Sequence, residues 1–289
     1  MGDLKDRVVI SSLRVLPQRW LSHCAGAVMS TTLPGPLARA AVRTYGALAG
    51  VNFSEVRDPI ESFRSVQEFF VRALKDGARP VDAAANALVS PCDGAWGAAG
   101  VVEQGQLLQV KGRPYSVAAL LDDERLAARF EGGAFATLYL SPRDYHRLHA
   151  PVAGDVVAAR HVPGALWPVN SAGVRFVDGL FARNERIVVL LRPDRAAGVP
   201  NDALLALVAV GATMVGKVRL SFDDLVTNDG GQARVRSYDP PHRVEKGSEW
   251  GRFEFGSTVV LLATPGWAHL DAQAPGTPVR MGAGIGVAC

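Results

Sequence analysis

The stretch WGRFEFGSTVVLLA, residues 250–263, places a Gly-Ser-Thr turn between two strand-like segments. The apolar run after the turn, 259–263, has the length and the β-branched content of a buried strand. A serine that follows a glycine at a tight turn can attack the preceding carbonyl when a base is near, which converts the peptide bond into an ester. Elimination of that ester cuts the chain and leaves the serine as a pyruvoyl group. Taken alone, Gly-Ser-Thr before a strand is typical of an ordinary turn.

The composition indicates a globular protein with a sizeable core. The chain has 289 residues, of which 48% are hydrophobic and 20% are charged. A net charge of +3, without a basic run or an aromatic-interleaved patch, predicts that nucleic acid is not a partner. Three widely spaced cysteines without a CxxC pair indicate a reduced, cytosolic chain. We expect neither a secretory signal nor a spanning helix, since the longest nearly uncharged apolar run falls short of about 20 residues.

The first part of the chain has helical periodicity. Apolar residues between 8 and 28 recur at three- and four-residue steps, with a break at Pro17. A second helix is predicted to begin at Pro36, with its inward face formed by Leu37, Ala41, Tyr45 and Leu48. Ser65 and Glu68 have capping-box spacing at the start of a third helix.

From about residue 89 onward, short strands and turns replace the helical pattern. The strand-like segments are 134–140, 187–191, 204–210 and 259–263. The sequence therefore predicts an α+β protein, with N-terminal amphipathic helices followed by a β-rich, mainly antiparallel catalytic core. We place the division between a helical N-terminal region, 1–80, and a catalytic domain, 81–289.

Two histidines stand out in Ser141 to His149, SPRDYHRLH. Ser141 as N-cap and Pro142 at the first position predict the start of a helix, on which His146 and His149 share a face. Two imidazoles on one face suit proton transfer, because their ordinary pKa lies near neutrality. The pair would also suit a metal with a further ligand from elsewhere, or a structural role. The pattern alone leaves these three readings open.

Asp93 is the acidic residue of a second candidate segment, Ser90-Pro91-Cys92-Asp93-Gly94. An aspartate can orient a histidine and stabilise its cation, as in nucleophile-base-acid triads. The same dipeptide, Asp-Gly, is typical of a plain turn. The neighbouring Cys92 is a weaker candidate for a nucleophile, since nothing in the sequence indicates a lowered thiol pKa.

Together these segments resemble the phosphatidylserine decarboxylases of the bacterial, pyruvoyl-dependent type. The resemblance runs in unbroken order from about residue 10 to the C-terminus. The segments that carry it are Phe69–Arg72, Ser90–Gly94, Leu140–Pro151, Val162–Gly164, Leu180–Arg186, Val210–Gly216, Lys246–Thr258 and Val279–Gly282.

The resemblance implies that the chain is a proenzyme that cuts itself between Gly256 and Ser257. The products would be a β chain, 1–256, and an α chain, 257–289. Ser257 would become the covalent pyruvoyl cofactor that forms a Schiff base with the substrate amine. Neither pyridoxal phosphate nor a metal is then expected.

The resemblance also implies roles for the other candidates. In the cleavage relay, His149 would take the hydroxyl proton of Ser257, and Asp93 would hold the tautomer of His149. His146 would act in the decarboxylation half, where a proton is placed on the product carbon.

The activity implied is conversion of phosphatidylserine to phosphatidylethanolamine and carbon dioxide in phospholipid biosynthesis. Because the substrate is a diacyl lipid, we expect the basic N-terminal region with Leu16 and Trp20 to dock on the membrane surface without spanning it. The protein would be peripheral, on the cytoplasmic side of the cell membrane. The resemblance further suggests a homodimer.

Two alternatives have different chemistry. One is a pyruvoyl decarboxylase that acts on a soluble amino acid. The other is a carrier module of the lipoyl or sugar-phosphotransferase kind, which Pro91-x-Asp93-Gly94 followed by Lys111-Gly112 would fit. A carrier would stay one intact chain without a carbonyl at residue 257.

Overall fold

The computed structural model describes residues 18–109, 113–196, 198–213, 217–254 and 258–288. The α-helices in these ranges are α1 (Gln18–Ser30), α2 (Gly35–Ala49), α3 (Val66–Phe70), α4 (Val117–Leu121), α5 (Glu124–Ala128), α6 (Ser171–Phe176) and α7 (Leu180–Arg183). Single 3-10 turns lie at Phe53–Glu55 and Ile60–Ser62.

The strands follow from residue 87 onward. They are β1 (Ala87–Val89), β2 (Gly94–Val101), β3 (Gln106–Gln109), β4 (Arg113–Ser116), β5 (Ala134–Tyr139), β6 (Arg147–His149), β7 (Gly154–Val162), β8 (Arg186–Pro193), β9 (Leu205–Val210), β10 (Val218–Leu220), β11 (Arg234–Val244), β12 (Glu249–Phe253), β13 (Thr258–Ala263), β14 (Ala268–Leu270), β15 (Pro278–Val279) and β16 (Gly284–Ala288). This arrangement confirms the predicted α+β class. The strands predicted at 134–140, 187–191, 204–210 and 259–263 are confirmed as β5, β8, β9 and β13.

An eight-stranded antiparallel sheet forms the centre of the fold, in the order β11-β7-β8-β9-β13-β5-β2-β15. Smaller antiparallel sheets are β1-β16-β14, β10-β12-β6 and the pair β3-β4. In the large sheet, β13 lies between β9 and β5 and is paired with both from Thr258 to Leu262. Its first residue, Thr258, pairs with Tyr139 on one side and Val210 on the other.

Strand β13 is buried on both faces. Val259 and Leu261 pack into one hydrophobic cluster, and Val260 and Leu262 pack into the other. Because successive side chains of a strand point to opposite faces, a strand between two apolar layers reads as an unbroken apolar run. This explains why 259–263 has no polar alternation.

The helix predicted after Ser65 is confirmed, although it is short. The Ser65 side chain accepts a hydrogen bond from the backbone N–H of Glu68 at 3.1 Å, which caps the first turn of α3. Phe69 and Phe70 at its end are 0% and 1% exposed. Their burial joins this helix to the rest of the protein.

The predicted inward face of α2 is wrong at Leu37 and Leu48, which are 60% and 85% exposed. The buried positions are Ala38, Val42 and Gly46, one residue further around the helix. These smaller side chains let α2 approach the adjacent segment closely, because the ring of Phe53 packs directly against the α-carbon of Gly46. The periodicity predicts the helix correctly, whereas close packing of the Phe53 ring determines which face of α2 is buried.

The helix predicted for Ser141 to His149 is also wrong. Asp144 Oδ2 accepts hydrogen bonds from the backbone N–H and the hydroxyl of Ser141, at 2.6 and 2.7 Å, which closes a turn. The chain then continues as β6, which pairs with β12. The Ser-Pro-x-Asp signal is shared by helix starts and turns, and pairing with a distant strand selected the turn.

Two further predictions are not tested by the described residues. Leu16 and the side chain of Trp20 lie outside the described residues, so membrane docking by the N-terminal segment stays a prediction. In the described ranges, each helix is either too short or too polar to cross a bilayer. The division at residue 80 also stays a prediction.

Gly94 provides a test of how β2 is attached to β5. A Cβ at this position would lie 2.5 Å from the carbonyl oxygen of Tyr139. We expect Gly94→Ala to lower the free energy of unfolding by about 1–3 kcal/mol, because backbone must move to admit the methyl group. Urea titration in the Ser257→Ala background, where the chain is expected to stay continuous, measures the change.

The matched control is Gly100→Ala in the same strand. There the nearest heavy atom to a new Cβ is a ring carbon of Phe135 at 3.4 Å, an ordinary contact. Equal stability of the Gly94 and Gly100 variants would contradict the close approach.

Candidate active site

The two described residues that flank the predicted cleavage segment are both held firmly. Phe255-Gly256-Ser257 lie outside the described residues. Before them, Glu254 is 8% exposed and accepts hydrogen bonds from Gln67 and from Arg219, each at 3.0 Å. After them, Thr258 is fully buried at the start of β13. The segment is therefore anchored at both of its neighbours.

His146 directly precedes β6 and lies opposite Phe253, the last residue of β12. Its carbonyl oxygen accepts a hydrogen bond from the N–H of Phe253 at 2.9 Å. The imidazole is 0% exposed and packs against Phe70, with ring centroids 3.9 Å apart. Nδ1 is 2.8 Å from the carbonyl oxygen of Asp144, whereas Nε2 is buried without a hydrogen-bond partner among the described residues.

These contacts determine the protonation of His146. A carbonyl oxygen can only accept, so Nδ1 carries the hydrogen and Nε2 of the neutral ring keeps its lone pair. Burial, with a further contribution from Arg72, lowers the pKa of His146 to about 3. At neutral pH the ring is therefore uncharged, and Nε2 is unprotonated.

His149, at the end of β6, has the same tautomer. Its Nδ1 is 2.8 Å from the carbonyl oxygen of Gly247, and its Nε2 is 3.3 Å from the hydroxyl of Tyr145. Burial lowers the pKa of His149, and the hydrogen bond to Gly247 partly opposes this effect. The neutral ring presents Nε2 as a base, with the hydroxyl of Tyr145 as its present donor.

Asp93 is close to His149 but does not bond to either ring nitrogen. The backbone N–H of His149 donates to the carbonyl of Pro91 at 2.8 Å, which brings the turn at 90–94 beside the ring. The Asp93 carboxylate itself accepts from Arg79, at 2.8 Å from Nε and 2.6 Å from Nη2, and from the N–H of Met281 at 2.9 Å. In this structure the Gly247 carbonyl fixes the tautomer, and Asp93 acts on His149 as a nearby negative charge.

The structure thus brings Asp93 close to His149 and places His146 against Phe253, the residue before the flank Glu254. The pairing of β6 with β12 positions the two histidines, and the hydrogen bond from His149 N–H to Pro91 positions the turn with Asp93. The shared helical face predicted from the sequence plays no part. The catalytic roles themselves stay predictions.

Two arginines of this region were not predicted as site residues from the sequence. Arg72 is the single charged residue in the apolar run FFVRAL, residues 69–74, and this pattern signals a buried charge. Arg79 has no comparable signal, since its partner Asp93 is 14 positions away.

Cys92 is unsuited to act as a nucleophile. Its side chain is 0% exposed, and burial raises the pKa of the thiol well above its usual range. Because the thiolate is the reactive form, this environment keeps Cys92 inert.

Comparison with known proteins identifies the family. The model of the phosphatidylserine decarboxylase family matches residues 66–287. A phosphatidylserine decarboxylase proenzyme of Anaeromyxobacter sp. (strain K) is 48% identical over 287 residues, covering 98% of this chain and 99% of the relative. Proenzymes of the same name from Myxococcus xanthus and Brevibacillus brevis are 40% and 42% identical, covering 98% and 86% of this chain and 99% and 85% of the relatives.

The chain belongs to the phosphatidylserine decarboxylase family. This confirms the resemblance seen in the sequence segments and favours the decarboxylase over the carrier module. Lys111 and Gly112, on which the carrier alternative partly depended, lie outside the described residues.

The burial of His146 predicts a pH-dependent stability. The pKa of the ring is about 3 in the folded protein and 6.5 in a solvated histidine, so between these values the unfolded chain binds a proton that the folded chain does not. Stability is therefore lost as the pH falls below 6.5, by about 1.4 kcal/mol per pH unit for this group. Urea titrations of wild type and His146→Gln between pH 7 and pH 4.5 should show a flatter decline in the variant, because glutamine does not titrate.

The control is His269→Gln, at a side chain that is 72% exposed. It should keep the wild-type slope. A wild-type slope in His146→Gln as well would show that His146 is not held neutral by burial.

Proposed function

We propose that this protein is a self-processing decarboxylase that converts phosphatidylserine to phosphatidylethanolamine and carbon dioxide, with a pyruvoyl group derived from Ser257. The observation that carries the proposal is the pair of buried imidazoles, each with an unprotonated Nε2, of which His146 contacts Phe253 next to the anchored flank Glu254. Self-cleavage and decarboxylation each need a proton acceptor at this place. Membership of the family and the proenzyme names of the relatives support the same activity.

In the cleavage reaction, His149 is the base. Its Nε2 takes the hydroxyl proton of Ser257. The hydroxyl oxygen of Ser257 then attacks the carbonyl carbon of Gly256. The Gly247 carbonyl keeps the proton of His149 on Nδ1, so that Nε2 stays available. The negative charge of Asp93 stabilises the imidazolium that forms.

The residues around Thr258 fit a pyruvoyl group on its backbone nitrogen. Thr258 begins a strand that is paired on both sides, so a group attached there would have a rigid support. The Thr258 hydroxyl and His146 Nε2 are buried polar atoms without a partner among the described residues, and they supply a donor and an acceptor. The carbonyl of such a group provides an electron sink for decarboxylation of an amino acid, as external cofactors do elsewhere.

In decarboxylation, His146 is the proton carrier. Because the ring is neutral before substrate arrives, its Nε2 accepts a proton as the substrate ammonium becomes a nucleophilic amine. The same atom then returns the proton to the α-carbon after carbon dioxide has left. The hydrogen bond from Nδ1 to the Asp144 carbonyl keeps the ring oriented through both transfers.

The intact mass of the purified protein tests the proposal directly. Wild type should give two chains, with a 33-residue α chain that reacts with a carbonyl reagent, and should decarboxylate phosphatidylserine. Ser257→Ala should remain one uncut chain of about 30.7 kDa without activity. Ser237→Ala, at an exposed serine of β11, is the matched control and should be cut normally. Two other results would overturn the proposal: active wild type in one piece without a reactive carbonyl, or turnover of free amino acids only.

The same gel and assay separate the two histidines. His149→Ala should block cutting. His146→Ala should be cut but lose about 10²- to 10⁴-fold in turnover, the contribution expected of one acid-base group. Normal turnover in a cut His146→Ala protein would remove that residue from the mechanism.

The proposal extends to the membrane surface, where a lipid substrate must be met. Leu37 and Leu48 lie on one exposed face of α2, and Val28 of α1 is 73% exposed. The C-terminal end of α2 leads into Gly50 and Asn52, which line a cavity that also contains Asp93. We propose that this face rests on the cytoplasmic side of the cell membrane as a peripheral contact and opens the cavity toward lipid.

Vesicle sedimentation tests this contact. Leu37→Glu with Leu48→Glu should reduce binding to phosphatidylserine-containing vesicles and turnover on them, because two charges replace the exposed apolar side chains. Turnover of a short-chain phosphatidylserine below its micellar concentration should be retained. Val235→Glu, at a residue of β11 that is 56% exposed, is the control. Unchanged vesicle binding of the double variant would contradict docking through α2.

A further inference from the structure

A cavity of about 370 Å³ lies between the N-terminal helical segments and the large sheet. Its described lining contains four arginines and three carboxylates, namely Arg72, Arg79, Arg143, Arg280, Glu55, Asp93 and Asp144. Tyr139, which pairs with Thr258, also lines it. The cavity therefore extends from Tyr139, the β5 partner of Thr258, toward the segment that follows α2.

The carboxylates in this cavity already have partners. Arg79 binds Asp93 and also Glu55, at 2.9 Å from Nη2. Asp144 accepts two hydrogen bonds from Ser141. These contacts leave the positive charge of Arg72 without a carboxylate within 4.0 Å among the described residues.

Arg72 is 4% exposed, which is unusual for a charge without a counter-ion. Its Nη2 donates to the carbonyl oxygens of Arg143 and Asp144, at 2.8 and 3.0 Å. Its Nε and Nη1 are buried without a hydrogen-bond partner in the described part of the chain. A buried guanidinium that lines a cavity, lacks a counter-ion and keeps two donors unused fits a bound anion.

We propose that this cavity binds the phosphodiester of the lipid substrate, with Arg72 as the central ligand and Arg143 and Arg280 at the mouth. The inference rests on the proposed function and adds to it the group that recognises the substrate. Arg143 and Arg280 suit the mouth because their side chains are 65% and 68% exposed.

The substrate carries two anionic groups, and the phosphodiester is the one that suits Arg72. An arginine paired with the carboxylate would stabilise the state before carbon dioxide leaves, and would raise the barrier. The phosphodiester keeps its charge throughout the reaction, so binding it holds the substrate without opposing decarboxylation. Only an ester oxygen and two carbons separate this phosphate from the reacting amine, which keeps the two sites close.

The site also connects binding to His146. Arg72 and His146 share the carbonyl oxygen of Asp144 as acceptor, and the charge of Arg72 lowers the pKa of His146. A bound phosphodiester would neutralise that charge. His146 would then be a stronger base when substrate is present, when it must accept a proton.

The test uses lipids below their micellar concentration, so that attraction to a charged membrane plays no part. The probes are dihexanoyl phosphatidylserine as substrate and dihexanoyl phosphatidylmethanol as inhibitor, which keeps the phosphodiester but has neither amine nor carboxylate. Arg72→Lys keeps the charge and replaces the guanidinium donors by a single ammonium group. We expect it to raise KM and the inhibition constant in parallel, roughly 10- to 100-fold, a change larger than any loss in kcat.

Arg192→Gln is the control for loss of a distant surface charge and should leave both constants unchanged, since its side chain is 47% exposed on β8. An unchanged inhibition constant in Arg72→Lys would overturn the proposal. Equal inhibition by dihexanoylglycerol, which lacks the phosphodiester, would also overturn it.

Equilibrium titration of phosphatidylmethanol separates this site from the activity. If wild type binds it and Arg72→Lys binds it more weakly, the phosphodiester site stands even where phosphatidylserine is not turned over. If Arg72→Lys does not fold, the exposed pair Arg143→Gln with Arg280→Gln decides. The dissociation constant must then rise at least about threefold, and an unchanged value overturns the proposal.

Discussion

The insertion of β13 between β5 and β9 is the constraint on which the rest of the structure depends. Thr258 pairs with both neighbours, and the next five residues are buried on both faces of the sheet. Each buried valine or leucine contributes about 1.5–3 kcal/mol of hydrophobic stabilisation. A cut between Gly256 and Ser257 would therefore leave the new chain end next to a strand that cannot dissociate without breaking two hydrogen-bonded ladders. The remaining described part of the predicted α chain is held similarly, since β15 pairs with β2 and β16 with β1.

The same dense packing determines the chemistry of the side chains beside this strand. His146 and Arg72 are both buried, and burial disfavours the charged form of each. His146 responds by remaining neutral, whereas an arginine stays charged and retains unused donors. Backbone carbonyls, which cannot lose or gain a proton, orient both groups. This gives a site with one acceptor and one cation at positions that do not depend on mobile surface charges.

Much of the fold could be predicted from local pattern. Strands β5, β8, β9 and β13 follow from short apolar runs, and the cap of α3 follows from Ser65. The exposed leucines of α2 and the turn at Ser141 could not be predicted in this way. In both cases two local outcomes have similar free energy, and a contact with a segment distant in sequence selects one of them. For α2 that contact is the ring of Phe53, and for the turn it is the pairing of β6 with β12.

The sequence by itself determined which residues are candidates for the chemistry, because Asp93, His146, His149 and the Gly256-Ser257 bond lie in segments long enough to identify a family. Only the tertiary structure decided how these residues are connected. In the folded protein Asp93 pairs with Arg79, and the carbonyl of Gly247 fixes the tautomer of His149. Arg72 is buried beside a cavity with two donors unused. The physical reason is that a hydrogen-bond partner is chosen by proximity in space, and antiparallel pairing brings together residues that lie about 100 positions apart in the chain.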